Sequence, residues 1–154
     1  GNLMSDTTTA PAAADAATQA ALERLNTVID RLIAPDGCPW DSTQTPESLT
    51  EYVIEECHEL VDAIRSGKTA DMVEELGDVA FLILMIGKLM ARAGGPSLAD
   101  ALEVEAAKMV RRHPHVFSDT TYENQSEQLK DWDRIKREEK AAADAEGPKG
   151  TCRL

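Results

Sequence analysis

Apolar residues recur at three- and four-residue spacings along most of this chain, a period typical of amphipathic helices. Segments that contain glycine or proline interrupt the pattern at residues 34–37, 66–67 and 94–96. The helices predicted between these breaks cover about residues 16–33, 46–65, 69–93, 97–111 and 126–143. No stretch alternates in the manner of a β-hairpin. The pattern therefore predicts an all-α fold, an antiparallel bundle of about five helices.

One segment departs from the amphipathic pattern, because residues 79–86 are apolar on every side. A surface helix of a small monomer would keep one polar face. We expect this helix to be central to the bundle and to pack its back on another subunit, so that dimerisation completes the fold. A helix that is simply buried within a monomer is the alternative.

The two ends of the chain lack apolar periodicity. Residues 1–15 are predicted to be a disordered tail, in which Gly1-Asn2-Leu3 ahead of Met4 resembles a cloning remnant. Residues 144–154 are predicted to be a flexible tail. Between them, residues 16–143 are expected to form a single domain.

Composition narrows the class of protein. The 154 residues are 42% hydrophobic but only 4% aromatic, which favours helices over a sandwich or barrel. A net charge of −12 argues against a nucleic-acid binder, whose phosphate contacts need a basic face. The longest apolar run is too short to span a bilayer, and three cysteines without a CxxC pair suggest reduced thiols. We expect a soluble, cytoplasmic protein with no nucleic-acid or membrane partner.

Two acidic clusters lie within the apolar pattern of the second and third predicted helices, at residues 55–59 and 74–78. On a helical wheel Glu56 falls near the centre of the apolar stripe, Glu59 at its edge and Glu55 further round. Glu75 and Asp78 continue directly into the apolar side of the third helix. Carboxylates that share an interior repel one another, so we expect a cation between them. A solvated acidic face is the alternative.

The donor atoms indicate which cation the cluster would bind. A site built only from carboxylate oxygens suits Mg²⁺, with Mn²⁺ possible, rather than Zn²⁺. Mg²⁺ usually completes its shell with water and substrate phosphate oxygens. The cluster therefore predicts phosphate chemistry.

Basic and aromatic residues follow downstream with helical spacing. Lys108 and Arg112 are four residues apart and share a face, which could hold phosphate oxygens. Trp132 and Lys136 repeat the spacing, and an indole beside a lysine could stack on a base or ribose. The alternatives are favourable charge at a helix C-terminus for the first pair and core packing for Trp132.

Taken in order, these motifs resemble the MazG nucleoside triphosphate pyrophosphohydrolases. The matching segments are CPWD at 38–41 with Gln44-Thr45, EExxE at 55–59, ExxD at 75–78, Lys108 with RRHPHVF at 111–117, and Trp132 with Ile135-Lys136 and EEK at 138–140. The resemblance covers about residues 22–140. EExxE with ExxD is modest evidence, but its combination with CPWD and RRHPHVF in this order is strong.

The resemblance implies an all-α fold shared with dimeric dUTPases and phosphoribosyl-ATP pyrophosphohydrolases. The active form would be a homodimer or a dimer of dimers. The reaction would be Mg²⁺-dependent hydrolysis of a nucleoside triphosphate (NTP or dNTP) to the monophosphate and pyrophosphate, a house-cleaning of the nucleotide pool.

The resemblance also assigns roles by position. The metal ligands would be Glu56, Glu59, Glu75 and Asp78. Glu55 and Glu74 would be auxiliary acids that assist a further ion or orient water, and either Glu55 or Glu59 would take the proton of the attacking water. The residues that contact the nucleotide would be Glu74, Lys108, Arg112, Trp132 and Lys136.

Two alternatives stay open. One is a narrower dUTP/dCTP-type pyrophosphatase of the same fold. The other is a non-catalytic helical regulator, which would need neither Mg²⁺ nor nucleotide but leaves the inward acids unexplained.

Overall fold

A computed structural model of the chain describes residues 9–146, and these are helical without a strand. The α-helices are α1 (Thr9–Ile33), α2 (Thr50–Ser66), α3 (Thr69–Arg92), α4 (Leu98–Arg112), α5 (Pro114–Phe117) and α6 (Gln125–Ala145). Two short 3₁₀ helices, Asp41–Thr43 and Glu47–Leu49, lie between α1 and α2. The all-α prediction is confirmed, and dimerisation stays a prediction.

Several predicted boundaries were wrong, for local reasons. Helix α1 begins at Thr9 rather than near residue 16, so residues 9–15 are not a disordered tail; this stretch is rich in alanine, the strongest helix former, although it lacks apolar periodicity. Helix α6 continues through Asp144 to Ala145 into the predicted C-terminal tail. Residues 1–8 and 147–154 of the predicted tails lie outside the described residues.

Proline explains two further differences. Residues 113–119 lie between the fourth and fifth predicted helices, which implies a loop, but Pro114 begins the one-turn helix α5, because proline is compatible with the first turn of a helix. The second predicted helix was expected to begin at Pro46. The chain instead forms the 3₁₀ helix Glu47–Leu49 first, and α2 begins at Thr50.

The described chain divides into two compact units at Gly94. The first unit comprises α1 to α3 with the intervening loop, and the second comprises α4 to α6. The single domain expected over residues 16–143 stays a prediction. No helix in the described part is long and apolar enough to cross a membrane.

In the first unit, α2 and α3 pack along each other and α1 packs on α3. Gly67 joins α2 to α3 in the left-handed region, at φ 71°, a conformation that favours glycine. This tight connection makes α2 and α3 antiparallel neighbours. The buried core consists of Ile29, Ile33, Leu49, Leu82, Met85 and Leu89. Helix α3 thus supplies half of this core, and two of its three core residues come from the apolar segment 79–86, in which Ile83 is 51% exposed.

The loop between α1 and α2 is held by side chains as well as by its own backbone. The Arg92 guanidinium donates to the carbonyl of Ile33 at 2.8 Å and to that of Ser42 at 3.2 Å. At Gly37, an added Cβ would lie 2.3 Å from the carbonyl oxygen of Arg31, so the close backbone approach there requires glycine. The loop is therefore fixed against the ends of α1 and α3.

The second unit has little apolar core, since Ile135 is its one buried residue among those described. Polar groups hold it instead. Ser97 and Asp100 form a capping box at the start of α4, and Asn124 caps α6 through the amide of Glu127. Helix α4 packs on α5 and α6.

Candidate functional site

The antiparallel pairing of α2 and α3 brings four carboxylates together. Glu59 and Glu75 each lie eight residues from Gly67, and Glu56 and Asp78 each lie eleven residues from it. Residues at equal distances from the turn face one another across an antiparallel pair. One oxygen from each of these four side chains lies within 4.8 Å of the others. We call this group the carboxylate cluster.

Burial separates the members of the cluster. Glu56 and Glu75 are half-buried, whereas Glu59 and Asp78 are exposed. The Oε2 atoms of Glu56 and Glu75 are buried and have no hydrogen-bond partner among the described residues. Buried polar atoms are normally satisfied, so two orphaned oxygens in one cluster indicate a missing cationic or donor partner.

The electrostatics of the cluster lead to the same conclusion. Burial, and after it the charge of Glu59, raises the pKa of Glu56 from its ordinary 4.5 to about 7. The same two causes raise the pKa of Glu75. A cation placed among such carboxyl groups would favour their ionised form, so the cluster suits a bound cation.

The cluster fits a hard divalent cation. Its donors are all oxygens, from two residues on each of two helices that pack together. Such a set suits Mg²⁺ or Mn²⁺, and Mg²⁺ is usually held by few protein carboxylates plus water and phosphate. The four residues predicted as ligands are thus the four that meet, and their role as ligands stays a proposal.

A cavity of about 200 Å³ borders the cluster within the first unit. Glu56 and Asp78 form one side of it, and the aromatic rings of Trp40, Tyr52 and Phe81 form much of the rest. The remaining lining consists of two leucines and a methionine of the core. Trp40 belongs to the CPWD motif, but the sequence does not predict this cavity, because Trp40, Tyr52 and Phe81 are far apart along the chain.

The two auxiliary acids lie outside the cluster. Glu55 and Glu74 are exposed, and neither belongs to the group of carboxylates that meet. Each is the neighbour in sequence of a cluster member, so a rotation of about 100° along the helix turns its side chain away. Their catalytic and substrate-binding roles stay predictions.

The other predicted nucleotide contacts all lie in the second unit. Lys108 pairs with Glu105 at 2.6 Å within α4. Arg112 bonds to Glu139 at 2.9 Å, and its guanidinium lies 5.7 Å from the ring centre of Trp132. Lys136 is exposed. Lys108 and Arg112, the two residues predicted to contact phosphate, thus each have an acidic partner within the second unit.

The importance of Glu139 is not evident from the sequence. It accepts hydrogen bonds from both Arg112 and Arg111, and these bonds lower its pKa from 4.5 to about 2. The motif at 138–140 contains it, but three consecutive charged residues give no sign of which one turns inward. It is the main electrostatic link between α4 and α6.

Taken together, the first unit defines a class of protein: an all-helical protein with an inward-facing carboxylate cluster on two antiparallel helices. Comparison with known proteins identifies the family. Residues 44–117 match the MazG nucleotide pyrophosphohydrolase domain. These residues thus form a MazG-type domain, as the motifs predicted.

Individual relatives agree with this assignment. The nucleoside triphosphate pyrophosphohydrolase of Escherichia coli K12 is 40% identical over 121 residues, which are 78% of this chain and 46% of that protein. The nucleoside triphosphate pyrophosphohydrolase/pyrophosphatase MazG of Thermotoga maritima is 39% identical over 118 residues, 77% of this chain and 45% of that protein. The chain spans less than half the length of the curated relatives it matches.

A solved structure resembles the chain as well. The crystal structure of a mazG-related protein from Thermotoga maritima superposes with a TM-score of 0.63 at 29% identity. The superposition covers 75% of this chain and 98% of that one. The fold of this chain therefore resembles that of a MazG-related protein.

Proposed function

We propose that this protein hydrolyses nucleoside triphosphates to nucleoside monophosphate and pyrophosphate with the help of a divalent metal ion. The observation that carries the proposal is the carboxylate cluster with its two orphaned oxygens, in a domain of the MazG family. Curated relatives named nucleoside triphosphate pyrophosphohydrolases support the reaction class. Nothing in the cluster resembles a nucleophile with its own general base.

In this proposal Glu56, Glu59, Glu75 and Asp78 hold Mg²⁺ or Mn²⁺. When bound, such an ion supplies Lewis-acid activation of water and compensates the charge of phosphate oxygens. Water adds to phosphorus, the bridging P–O bond between the α- and β-phosphates breaks, and pyrophosphate leaves. A carboxylate takes one proton of the water. Glu59 and Glu55 are both exposed on α2 and are the candidates for this base.

We assign the contacts to the phosphates to Lys108 and Arg112, those to the nucleoside to Lys136 and Trp132, and the role of an auxiliary acid to Glu74. Because Lys108 and Arg112 are paired with Glu105 and Glu139, substrate binding would have to compete with these ion pairs. The Lys108–Glu105 pair is partly exposed, where such exchange costs little, whereas Arg112 and Glu139 are mostly buried and exchange there would cost more.

We also propose that the active form is a homodimer or a dimer of dimers. Helix α2 carries an exposed apolar stripe of Ile54, Val61 and Ile64, which are 61%, 41% and 57% exposed. Helix α3 carries a second stripe of Val73, Leu76 and Ile83, each more than half exposed. Apolar stripes of this kind on a small protein support association. Light scattering coupled to gel filtration would measure the oligomeric state.

The direct test is pyrophosphate release from a panel of NTPs and dNTPs, with Mg²⁺ and with EDTA. Glu56→Gln should abolish Mg²⁺-dependent release while circular dichroism stays helical. Glu51→Gln, an exposed carboxylate on the same helix, is the matched control and should retain activity. Full activity of Glu56→Gln would contradict the ligand assignment.

The same panel of substrates distinguishes a broad NTP pyrophosphohydrolase from the narrower dUTP/dCTP-type pyrophosphatase. Hydrolysis confined to dUTP and dCTP would favour the alternative pyrophosphatase, and hydrolysis across bases would support pool house-cleaning. A non-catalytic regulator predicts that calorimetry detects neither Mg²⁺ nor nucleotide binding.

A further inference from the structure

The Glu139 carboxylate binds two arginines that are neighbours in the sequence, each through a different oxygen. Its Oε1 accepts a hydrogen bond from Arg111 Nε at 2.6 Å. Its Oε2 accepts from Arg112 at 3.3 Å from Nε and 2.9 Å from Nη2. The side chains of Arg112 and Glu139 are only 17% and 20% exposed, whereas that of Arg111 is 51% exposed. The bond to Arg112 is therefore the more enclosed of the two.

Arg112 keeps donor groups that Glu139 does not use. A guanidinium carries five N–H groups, and Glu139 occupies the edge formed by Nε and one N–H of Nη2. Three N–H groups remain without a partner among the described residues, two of them on Nη1. These suffice for a bidentate bond to a phosphate group. Glu139 and a phosphate can thus bind Arg112 at the same time, and they compete for its charge rather than for the same donors.

Trp132 fixes the same guanidinium on one face. The central carbon of Arg112 lies 5.7 Å from the centre of the indole, within the range of a cation–π contact. The indole is itself held by His113, which packs on it edge to face with ring centroids 4.9 Å apart. Trp132 and Glu139 are seven residues apart on α6, which places them on one face of that helix. One carboxylate and one indole therefore determine where the guanidinium of Arg112 lies.

We propose that Glu139 is a positioning residue for the hydrolysis, which holds Arg112 so that its free guanidinium edge faces the substrate phosphates. The inference rests on the proposed function, in which Arg112 contacts phosphate, and it adds a residue to which that function gives no role. Glu139 would act only through Arg112, because a carboxylate repels phosphate. Its pKa of about 2 means that it is ionised throughout the neutral pH range.

The sign of the effect distinguishes positioning from simple attraction between charges. Arg111, Arg112 and Glu139 together carry one net positive charge, and Glu139→Gln would raise it to two. If the phosphates responded to charge alone, this variant would bind the substrate more tightly. If Glu139 positions Arg112, the variant loses activity although its charge favours the substrate more.

Steady-state kinetics of pyrophosphate release in Mg²⁺ test the proposal, with the NTP that wild type hydrolyses fastest. Glu139→Gln should lower kcat/KM about 10- to 100-fold, the effect expected when a hydrogen bond between charged groups is lost. Glu139→Asp keeps the charge on a shorter side chain and should recover part of this loss. Glu138→Gln is the matched control, since it removes the same charge from a side chain that is 65% exposed and bonded to Arg134. It should stay within about twofold of wild type.

A double-mutant cycle shows whether Glu139 acts through Arg112. Arg112→Ala should lower kcat/KM at least as much as Glu139→Gln does. Combining the two should lower it no further than Arg112→Ala alone, because the side chain that Glu139 positions is then absent. In an Arg111→Ala background, by contrast, Glu139→Gln should still cause its loss. A purely structural role of Glu139 predicts losses that add to that of Arg112→Ala.

Tryptophan emission provides a readout that is independent of activity. Trp40→Phe leaves Trp132 as the single tryptophan of the chain. In this background Glu139→Gln should change the emission of Trp132, because the guanidinium over its ring is no longer held, whereas Glu138→Gln should not. Circular dichroism checks that each variant is folded. If Glu139→Gln does not fold, Glu139→Asp replaces it in the kinetics, in the cycle and in the emission measurement, with smaller effects of the same sign.

The outcomes separate the two proposals. If wild type releases pyrophosphate from no NTP or dNTP, the proposed function fails and the role of Glu139 fails with it. If wild type is active but Glu139→Gln keeps or raises kcat/KM, Glu139 is not a positioning residue and the proposed function stands. Losses that add in the double-mutant cycle lead to the same conclusion.

Discussion

Replacing Glu56 by glutamine should make the metal-free protein more stable while it removes activity. The carboxyl of Glu56 has a pKa of about 7 instead of 4.5 because of burial and the charge of Glu59. At about 1.4 kcal/mol for each pKa unit, ionised Glu56 costs the folded state at most about 3 kcal/mol. Since the side chain is only half-buried, solvent screening reduces this to roughly 1–2 kcal/mol. An uncharged, isosteric amide removes the cost.

The pH dependence has a definite sign. A raised acid pKa means that the folded state binds a proton more tightly than the unfolded chain does. The penalty is absent below pH 4.5, where both states are protonated, grows as the pH rises, and is complete above about 7. The stability gain of Glu56→Gln should therefore be largest at pH 8 and vanish near pH 4.

Urea unfolding followed by circular dichroism in EDTA measures this gain. Adding Mg²⁺ should raise the unfolding free energy of the wild type and do much less for the variant, because a ligand that binds the folded state stabilises it. Glu55→Gln, an exposed neighbour outside the cluster, should stay within about 0.5 kcal/mol of wild type. Equal stability of Glu56→Gln and wild type at pH 8 would refute the argument that these carboxylates repel one another.

Three further predictions concern the scaffold. Gly37→Ala should destabilise the protein by about 2 kcal/mol in thermal melts, because its Cβ would lie 2.3 Å from a backbone oxygen. Gly77→Ala is the control within a helix. Its Cβ would meet nothing within 4 Å, so this variant should be stabilised by about 0.5–1 kcal/mol. Two arginines hold the pKa of the Glu139 carboxyl at about 2, so wild type loses stability as the pH falls from 4.5 towards 2. In Glu139→Gln the free energy of unfolding should be lower above pH 4.5 and should lack this part of the acid dependence. An acid unfolding transition identical to that of wild type would contradict the pairing. Arg92→Ala should lower the urea-unfolding free energy by about 1–3 kcal/mol, with Arg92→Lys only partly restoring it, because lysine lacks the forked donor; full restoration by lysine would show that the charge alone matters.

Local signals in the sequence were sufficient for the class of fold. Apolar spacing predicted every long helix, because the period of 3.6 residues and the breaker residues are properties of the backbone itself. The errors are local too. Residues 9–15 form helix through alanine propensity without an apolar stripe, and Pro114 starts a turn of helix rather than preventing one. The order of motifs also predicted the MazG family correctly.

For the candidate site, the sequence by itself determined which acids share a face with the core. Wheel positions distinguished Glu56 from Glu55, because one residue along a helix turns the side chain by about 100°. The acids of the two clusters lie at equal distances from Gly67 along the chain. The tight turn at Gly67 therefore brings them together.

Only the tertiary structure decided which side chains contact one another. Arg112 was predicted to contact phosphate, and nothing in the sequence indicated its bond to Glu139, which lies on a different helix. The sequence showed Trp40 only as part of the CPWD motif. The fold places it beside Tyr52 and Phe81 at the edge of the carboxylate cluster. Pairing and enclosure depend on distance and desolvation in three dimensions, and residues far apart in the chain carry no local signal of either.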